Sequence, residues 1–532
     1  MNKPCLSIVI NGHYPFTGSP GSLEERIFFE EVVETYVPLL ELFTGLENSR
    51  VPFRLAMTLS PCLCAMFRHE KLMGRCSAWL DRRIDFGRRE LERCAGDESL
   101  ASLARYYLNR DLEKQTSLRD RYNMDLLEAF EGFQKRGRLE FLVSPATNAF
   151  LPFYVSMEEA VRAQIETALI HHRRYLGRIP PGFWLPELGW EASLGHCLSR
   201  YRFAYTIIDA HALILGIPPA EAGSFYPVRT PSGLVAFARD ITAQKDMEEL
   251  STDRAGLYWG AFLDAGYELS SQELEPLVEA EGSRCSTGYR YWAPGPPGEG
   301  RRLYDPKKAR DTAAGQARNF LDRRITRLEE AQGCLPAGGR ALSLWVFDAS
   351  TLGRSWHEGM AFLETLINEN ALRGRICLKT PSDYLSQAEP SSFQAVEMEF
   401  SSALEDGYGG MLLDASNDWI YRHIYRSVQR MIKITERFPG STGLKERALN
   451  QAAREILLAQ STDLAKPLNP QWNRGPMGRE YAEEELEGAL RNFTAVYEAL
   501  GSNHISTEWL TALEKKHFFL PYINYRVFGS KK

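Results

Sequence analysis

The chain has 532 residues, 44% hydrophobic and 25% charged, with a net charge of −6. That balance excludes a disordered or fibrous chain, and the length exceeds what one hydrophobic core serves, so two or three substructures are expected. A negative surplus offers no electrostatic basis for binding nucleic acid or an anionic membrane, and no run of about 18 apolar residues could cross a bilayer.

Residues 6–10, Leu-Ser-Ile-Val-Ile, read as a buried strand that breaks at Asn11-Gly12-His13. This apolar run is too short for a secretory leader. Helical periodicity follows over 24–47, then a second buried strand over 53–59, stopped by Ser60-Pro61. Such a β-loop-α-β opening is the unit of parallel sheets and barrels. From about 63 to 135 the chain is charged and poor in β-branched residues, which predicts a helical insertion. Strand patterns return at 139–143, 182–185, 204–208, 234–238, 341–347 and 376–379, with helices at 157–176 and 306–333 between them. The alternation favours a (β/α) barrel or a doubly wound sheet.

Residues 214–303 are rich in Gly, Pro and aromatics and read as long loops over the active face. Past about 395 the strand signal fades, and amphipathic stretches at 418–438, 443–461 and 478–500 predict a C-terminal helical domain. His171 and His172 lie in a helical stretch, where adjacent residues do not share a face, so they read as solvated side chains rather than a metal pair. The nine cysteines are scattered without a CxxC spacing and read as reduced thiols of a cytoplasmic protein.

Two segments carry carboxylates where a barrel would put its site. Gly182-Phe183-Trp184-Leu185-Pro186-Glu187 runs an apolar strand into a Pro and then an acid, with Trp190 close behind. Leu342-Ser343-Leu344-Trp345-Val346-Phe347-Asp348 ends a second strand in an acid, followed by Trp356 and His357. Each has an ordinary alternative, a helix-capping Glu or an N-cap Asp. Together they fit a retaining glycosidase pair. His13, Asp209 and His211 also stand at strand ends. Trp184, Trp190 and Trp356 are candidates for sugar stacking or for the core, and Arg239-Asp240 for a site role or a bare salt bridge.

The chain resembles family 57 of the glycoside hydrolases, and most closely its branching enzymes. Phe183-Trp184-Leu185-Pro186-Glu187 is similar to the nucleophile motif, and Phe347-Asp348 with Gly353, Trp356, Glu358 and Gly359 to the acid/base motif. Asn11 through Phe16 stands where the family has a His-x-His-x-Pro strand end. Gly137 through Glu140 and Ser144 through Asn148 resemble the second motif. Asp209-Ala210-His211, Tyr226-Pro227-Val228 and Arg239-Asp240 resemble a branching-enzyme stretch. Ala448 through Glu455 and Leu458 through Asp463 resemble the helical C-terminal domain.

The resemblance implies an α/β fold: a (β/α)7 incomplete TIM-type barrel over 1–395, a helical insertion near 63–135, and a helical C-terminal domain over 396–532. It implies retaining chemistry on α-1,4-glucan without metal or organic cofactor, with Glu187 as nucleophile and Asp348 as general acid/base. His13, Trp184, Asp209, His211, Arg239, Trp356 and Asp463 are then the substrate-binding candidates.

Several positions depart from the pattern. Asn11 replaces the first His, Asn148 another His, and the family's Glu, His and first Trp positions after the acid are Ser350, Arg354 and Ser355. The later Trp-Gly motif appears as Ser401 through Gly407 without its Trp. If Arg354 reached Asp348 it would favour the ionised form, the wrong direction for a general acid. The readings are therefore a branching enzyme, an α-glucan hydrolase or related transferase, or a glucan-binding protein that has lost turnover.

Overall fold

The computed structural model describes residues 3–251, 264–275, 277, 284–294, 300–336, 338–472 and 475–529. Seven parallel strands form the centre: β1 (Cys5–Gly12), β2 (Leu55–Leu59), β3 (Leu139–Leu142), β4 (Gly182–Phe183), β5 (Tyr205–Ile208), β6 (Val235–Ala238) and β7 (Leu342–Asp348). β1 pairs with β7 on one side and β2 on the other, and β2 pairs with β3. β4 pairs with β5, and β5 with β6. A parallel bridge at Val143 and Phe183 joins the two sets, through Val143 N–H to Gly182 O at 3.0 Å and Trp184 N–H to Val143 O at 2.7 Å.

Between β6 and β7 the ladder is incomplete. The short antiparallel strand Val228–Arg229 takes the free edge of β6. Beyond it, Asp240 N–H reaches Leu344 O at 2.7 Å and the Asp240 carboxylate accepts the Ser343 hydroxyl at 2.7 Å. Strand residues alternate between faces. Cys5, Val9, Ala56, Leu142, Tyr205, Ile207, Val235, Phe237, Leu342 and Leu344, with Trp184, share one buried inner cluster. The opposite faces of the strands, among them Ile8, Met57, Phe141 and Trp345, belong to the larger core beneath the helices. A buried cluster fed by all seven strand positions is the filled interior of a barrel.

The insertion is helical as predicted, with Pro61–Phe67, Glu70–Arg93, Glu98–Thr116 and Leu126–Lys135. Its charge is internal as well as superficial. Arg83 is buried and bonds Asp111 at 3.0 Å, and buried Lys114 bonds Glu34 at 2.6 Å. The C-terminal region is built on Trp419–Arg437, Gly443–Ala459, Arg479–Ser502 and Thr507–Lys516. Gly443–Ala459 is its centre, with Ala448, Leu449, Ala452, Ala453, Ile456 and Leu457 fully buried.

Two expectations need correction. His171 and His172 are buried rather than solvated. His171 Nδ1 lies 2.7 Å from Thr167 O and its Nε2 accepts the Tyr522 N–H, so it anchors the C-terminal segment; burial lowers its pKa to about 4. The stretch 214–303 holds more regular structure than a set of loops: besides Val228–Arg229 and β6 it contains the helix Ile241–Ser251 and the hairpin Trp292–Pro294 with Arg301–Leu303. The parts of that stretch at 252–263, 276, 278–283 and 295–299 lie outside the described residues.

Asp240 carries the β6–β7 seam. Its side chain is 4% exposed, as is that of Arg324 at 3.6 Å. Burial works to raise its pKa, but the hydroxyls of Thr242 and Ser343, the Ala243 N–H and Arg324 hold it below the usual value. Asp240→Ala leaves the Ser343 hydroxyl without its acceptor while Arg324 keeps Asp246 at 2.6 Å, and is expected to cost about 2 kcal/mol in denaturant unfolding. A loss within experimental error would mean that the seam contributes nothing to stability.

Candidate active site

The same alternation that fills the barrel sets the chemistry at its mouth. Continuing the inward positions of five strands reaches Asn11, Thr58, Asp209, Arg239 and, past Val346, Asp348. All five stand at C-terminal strand ends, where barrel sites form. Asn11 and Asp348 are register partners across β1 and β7, and Asn11 Nδ2 donates to Asp348 Oδ1 at 2.9 Å. The amide is aimed from behind: Gly12 N–H donates to Thr58 Oγ1 at 2.9 Å, and the Thr58 hydroxyl donates to Asn11 Oδ1 at 2.8 Å. Across the mouth Arg239 Nε donates to Asp209 Oδ2 at 2.6 Å, while Asp209 Oδ1 accepts the His211 N–H at 3.1 Å. Arg239 and Asp240 therefore serve different partners and form no pair with each other.

Glu187 stands in a tight turn. Pro186 opens it, and Glu187 and Leu188 both hold left-handed backbone, with φ of 54° and 50°. Such a conformation is strained for residues with a side chain and persists when neighbours over-determine it. Here they do: Leu188 N–H bonds Leu185 O at 2.9 Å, Gly189 N–H bonds Pro186 O at 3.0 Å, and Ala403 N–H bonds Glu187 O at 2.6 Å. Gly189 has no room for a Cβ, which would meet the Phe150 ring at 2.2 Å. The segment 401–407 thus braces the Glu187 turn, and its Ala403 carbonyl accepts Arg239 Nη2 at 3.4 Å.

The remaining groups come from the C-terminal helical region. Ser461 bridges Ala149, and Thr462 N–H donates to Asn148 O at 3.2 Å. Asn148, with φ of 56°, points its amide at Thr462 Oγ1 and Asp463 Oδ1, at 3.0 and 3.1 Å. Asp463 Oδ2 lies 2.8 Å from His13 Nε2 and accepts the Ser461 hydroxyl at 2.8 Å; His13 Nδ1 lies 2.8 Å from Ser60 Oγ. Both ring nitrogens of His13 are thus engaged within the protein. Three residues past Asp463, the nearly buried Lys466 donates to Glu187 Oε1. Burial alone would lower the Lys466 pKa, but the charges of Glu187, Asp463 and Asp348 outweigh it and raise it. Asp463 mirrors this: burial favours its neutral form, yet His13, Lys466 and the Ser461 hydroxyl hold its pKa below 3.8.

The other sequence candidates fall in two groups. His211 lines the mouth, edge-on to Tyr408 at 5.4 Å, and its buried Nε2 finds no partner among the described residues. Trp184 closes the inner cluster, its indole N–H likewise without a partner among them. Trp356 lies in the core against Phe362, 5.1 Å away and 2% exposed, which leaves it no face for a ligand. Trp190 is also buried and donates to Met398 O at 3.3 Å. Arg354 bonds Glu31 at 3.0 Å and its backbone N–H bonds Thr35, so its charge is committed there. Glu191 caps the helix Ala192–Arg200.

Sequence reasoning missed Lys466 and Thr58. Lys466 follows Asp463 at i+3, which puts both on one face of a helical turn. Thr58 shares the face of Ala56 by strand parity. Among the described residues no group of three or more His, Cys, Asp or Glu could hold a metal ion.

Two acids past separate strands of a parallel barrel, with helical residues completing its mouth, form a candidate active site of glycosidase type, and comparison with known proteins gives the family it resembles. Residues 7–254 match the family described as Glycosyl hydrolase family 57, and residues 423–528 match 1,4-alpha-glucan branching enzyme, C-terminal. A 1,4-alpha-glucan branching enzyme of Thermococcus kodakarensis is 25% identical over 501 residues, spanning 87% of this chain and 69% of that protein. The crystal structure of the alpha-amylase AmyC of Thermotoga maritima is 28% identical, with a TM-score of 0.90 and full coverage of both chains. That of a branching enzyme from Pyrococcus horikoshii shares the fold at 21% identity, with a TM-score of 0.86 over 100% of this chain and 98% of that one. The chain thus resembles glycosyl hydrolase family 57 over residues 7–254 and the C-terminal part of the branching enzymes over residues 423–528.

The lowered Asp463 pKa fixes the sign of a pH effect. Its ionised form contributes stability fully present above the ordinary 3.8, and lost as pH falls through the lower folded value. Asp463→Asn is expected to lower the unfolding temperature near neutrality and to shrink that gap in strong acid. A gap independent of pH would show that the charge is immaterial.

Proposed function

We propose that the protein is a retaining 1,4-α-glucan branching enzyme. The observation that carries this reading is the pairing of two strand-end acids with different environments at one barrel mouth, Glu187 against an ammonium and Asp348 against a neutral amide. The family 57 match and the C-terminal branching-enzyme match support it.

In this mechanism Glu187 attacks the anomeric carbon of an α-1,4-linked glucose while Asp348 donates its proton to the departing 4-oxygen. A covalent glycosyl-enzyme results. Asp348, now ionised, takes the proton of an incoming hydroxyl, which displaces Glu187 with overall retention. When the acceptor is the 6-hydroxyl of another glucan chain, a branch forms; when it is water, the outcome is hydrolysis. Asp209, His211 and Arg239 stand where they can bind sugar hydroxyls beside Glu187. Asn11 supplies the hydrogen bond that a neutral His would supply, held by Thr58. With Arg354 bonded to Glu31, the expected reason for impaired acid catalysis is removed. No helix of the described residues is long and apolar enough to cross a membrane, and the nine cysteines are free, which supports a cytoplasmic site of action.

A hydrolytic reading is favoured by one observation, the likeness to a protein described as an α-amylase. Incubation with amylose, followed by debranching and chain-length analysis beside a reducing-end assay, separates the two. New α-1,6 branches with few reducing ends are expected, and both Glu187→Ala and Asp348→Ala are expected to lose at least about a thousandfold in rate. Reducing ends without branches would establish a hydrolase. Bound glucan without product would leave a binding protein.

A further inference from the structure

The ion pair between Lys466 and Glu187 joins two regions of the chain that are 279 residues apart. Resting on the reading of Glu187 as the nucleophile, we propose that Lys466 is a positioning residue that fixes the negative charge of the resting site on Glu187 and aims that carboxylate at the anomeric carbon.

Lys466 is held from three directions. Its side chain is 11% exposed, and the Trp472 ring centroid lies 5.0 Å from its ammonium. Pro467 follows it at the start of a tight 3₁₀ turn, and the charge of Asp463, in the turn before, acts on it. The charged groups around the pair are few. Asp463 is shared with His13 of the β1 end, and Asp348 of β7 adds its field at the ammonium. Arg239 of β6 is neutralised by Asp209. Lys466 is thus the cation in direct contact with the nucleophile, whereas Asp348 receives a neutral N–H from Asn11. The two acids therefore have unequal partners before substrate arrives: an ammonium against Glu187 and a neutral amide against Asp348.

The same cation acts in both steps. As the bond from Glu187 to the anomeric carbon forms and the bond to the 4-oxygen breaks, the charge leaves Glu187 and appears on Asp348, whose proton has gone to the 4-oxygen. Lys466 stays in place against Trp472, in the field of Asp463. When the acceptor hydroxyl attacks, its proton returns to Asp348 and the ester bond breaks. Glu187 then departs as a carboxylate against a waiting ammonium, which eases its release.

The test is the pH dependence of kcat/KM on amylose for the wild type, Lys466→Met and Lys466→Arg, with folding of each checked by thermal unfolding. Lys466→Met is expected to move the acid limb up by about one pH unit or more and to lower kcat about 10- to 100-fold, while Lys466→Arg returns the limb toward wild type. A purely structural role would lower activity without moving the limb, and an unmoved limb in folded Lys466→Met overturns the proposal. Should that variant not fold, Lys466→Gln keeps a hydrogen-bond donor without the charge and is read in the same way. A deactivated 2-fluoro glycosyl fluoride, with peptide mass spectrometry of the wild type, separates the two ideas. Label on Glu187 with an unmoved limb overturns only the role of Lys466. Label elsewhere overturns the nucleophile assignment and the proposal with it.

Discussion

The mouth of the barrel depends on a contact between distant parts of the chain: the ammonium of Lys466 and the carboxylate of Asp463, entering from the C-terminal helices, meet Glu187 and His13 at the strand ends. Buried charges are costly unless paired, and each of these is paired by the other region. The barrel supplies Glu187 and His13, and the helical region supplies Lys466 and Asp463. Docking of the helices is therefore an electrostatic condition of the site as well as a packing event. Thr147, Gln164 and Arg162 extend the contact, bonding Leu457, Gln460 and Val527 of the C-terminal region.

The positions that depart from the family's sequence pattern each have a structural partner in this arrangement. Asn11 keeps the donor that faces Asp348 because Thr58 sets the orientation of its amide. Asn148 exchanges the ring of a His for an amide that reaches both Thr462 and Asp463, so it serves docking. Arg354 is drawn to Glu31, on the helical stretch that follows β1, and leaves Asp348 to its neutral partner. The segment 401–407, which lacks the expected Trp, works through its backbone, bracing the Glu187 turn at Ala403.

Much of the fold was legible in the sequence because it rests on local rules. Short β-branched runs became strands within a residue or two of their expected ends, and the helix predicted over 306–333 has those bounds. The site was less legible for a specific reason. Strand parity places Thr58 and Asp348 on one inward layer, but only once the order of strands around the barrel is known. Lys466 is a lysine in an amphipathic helical region, and nothing local marks it as buried; its ion-pair partner is 279 residues away. The histidines at 171 and 172 failed in the opposite sense, since helix periodicity alone did not show that the C-terminal segment covers them. The tryptophans mislead for a related reason. Trp356 and Trp190 flank the site in sequence, yet their size sends them into the core.

The most direct measurement is a crystal structure of the Glu187→Gln variant with a maltooligosaccharide bound. The account predicts a glucose ring at the barrel mouth touched by both regions, its anomeric carbon about 3–3.5 Å from the side chain at position 187 and its glycosidic oxygen facing Asp348, with Asp463 or Lys466 on the same ring. A saccharide held only by barrel residues, or bound away from position 187, would contradict the claim that the two halves of the chain build one active site.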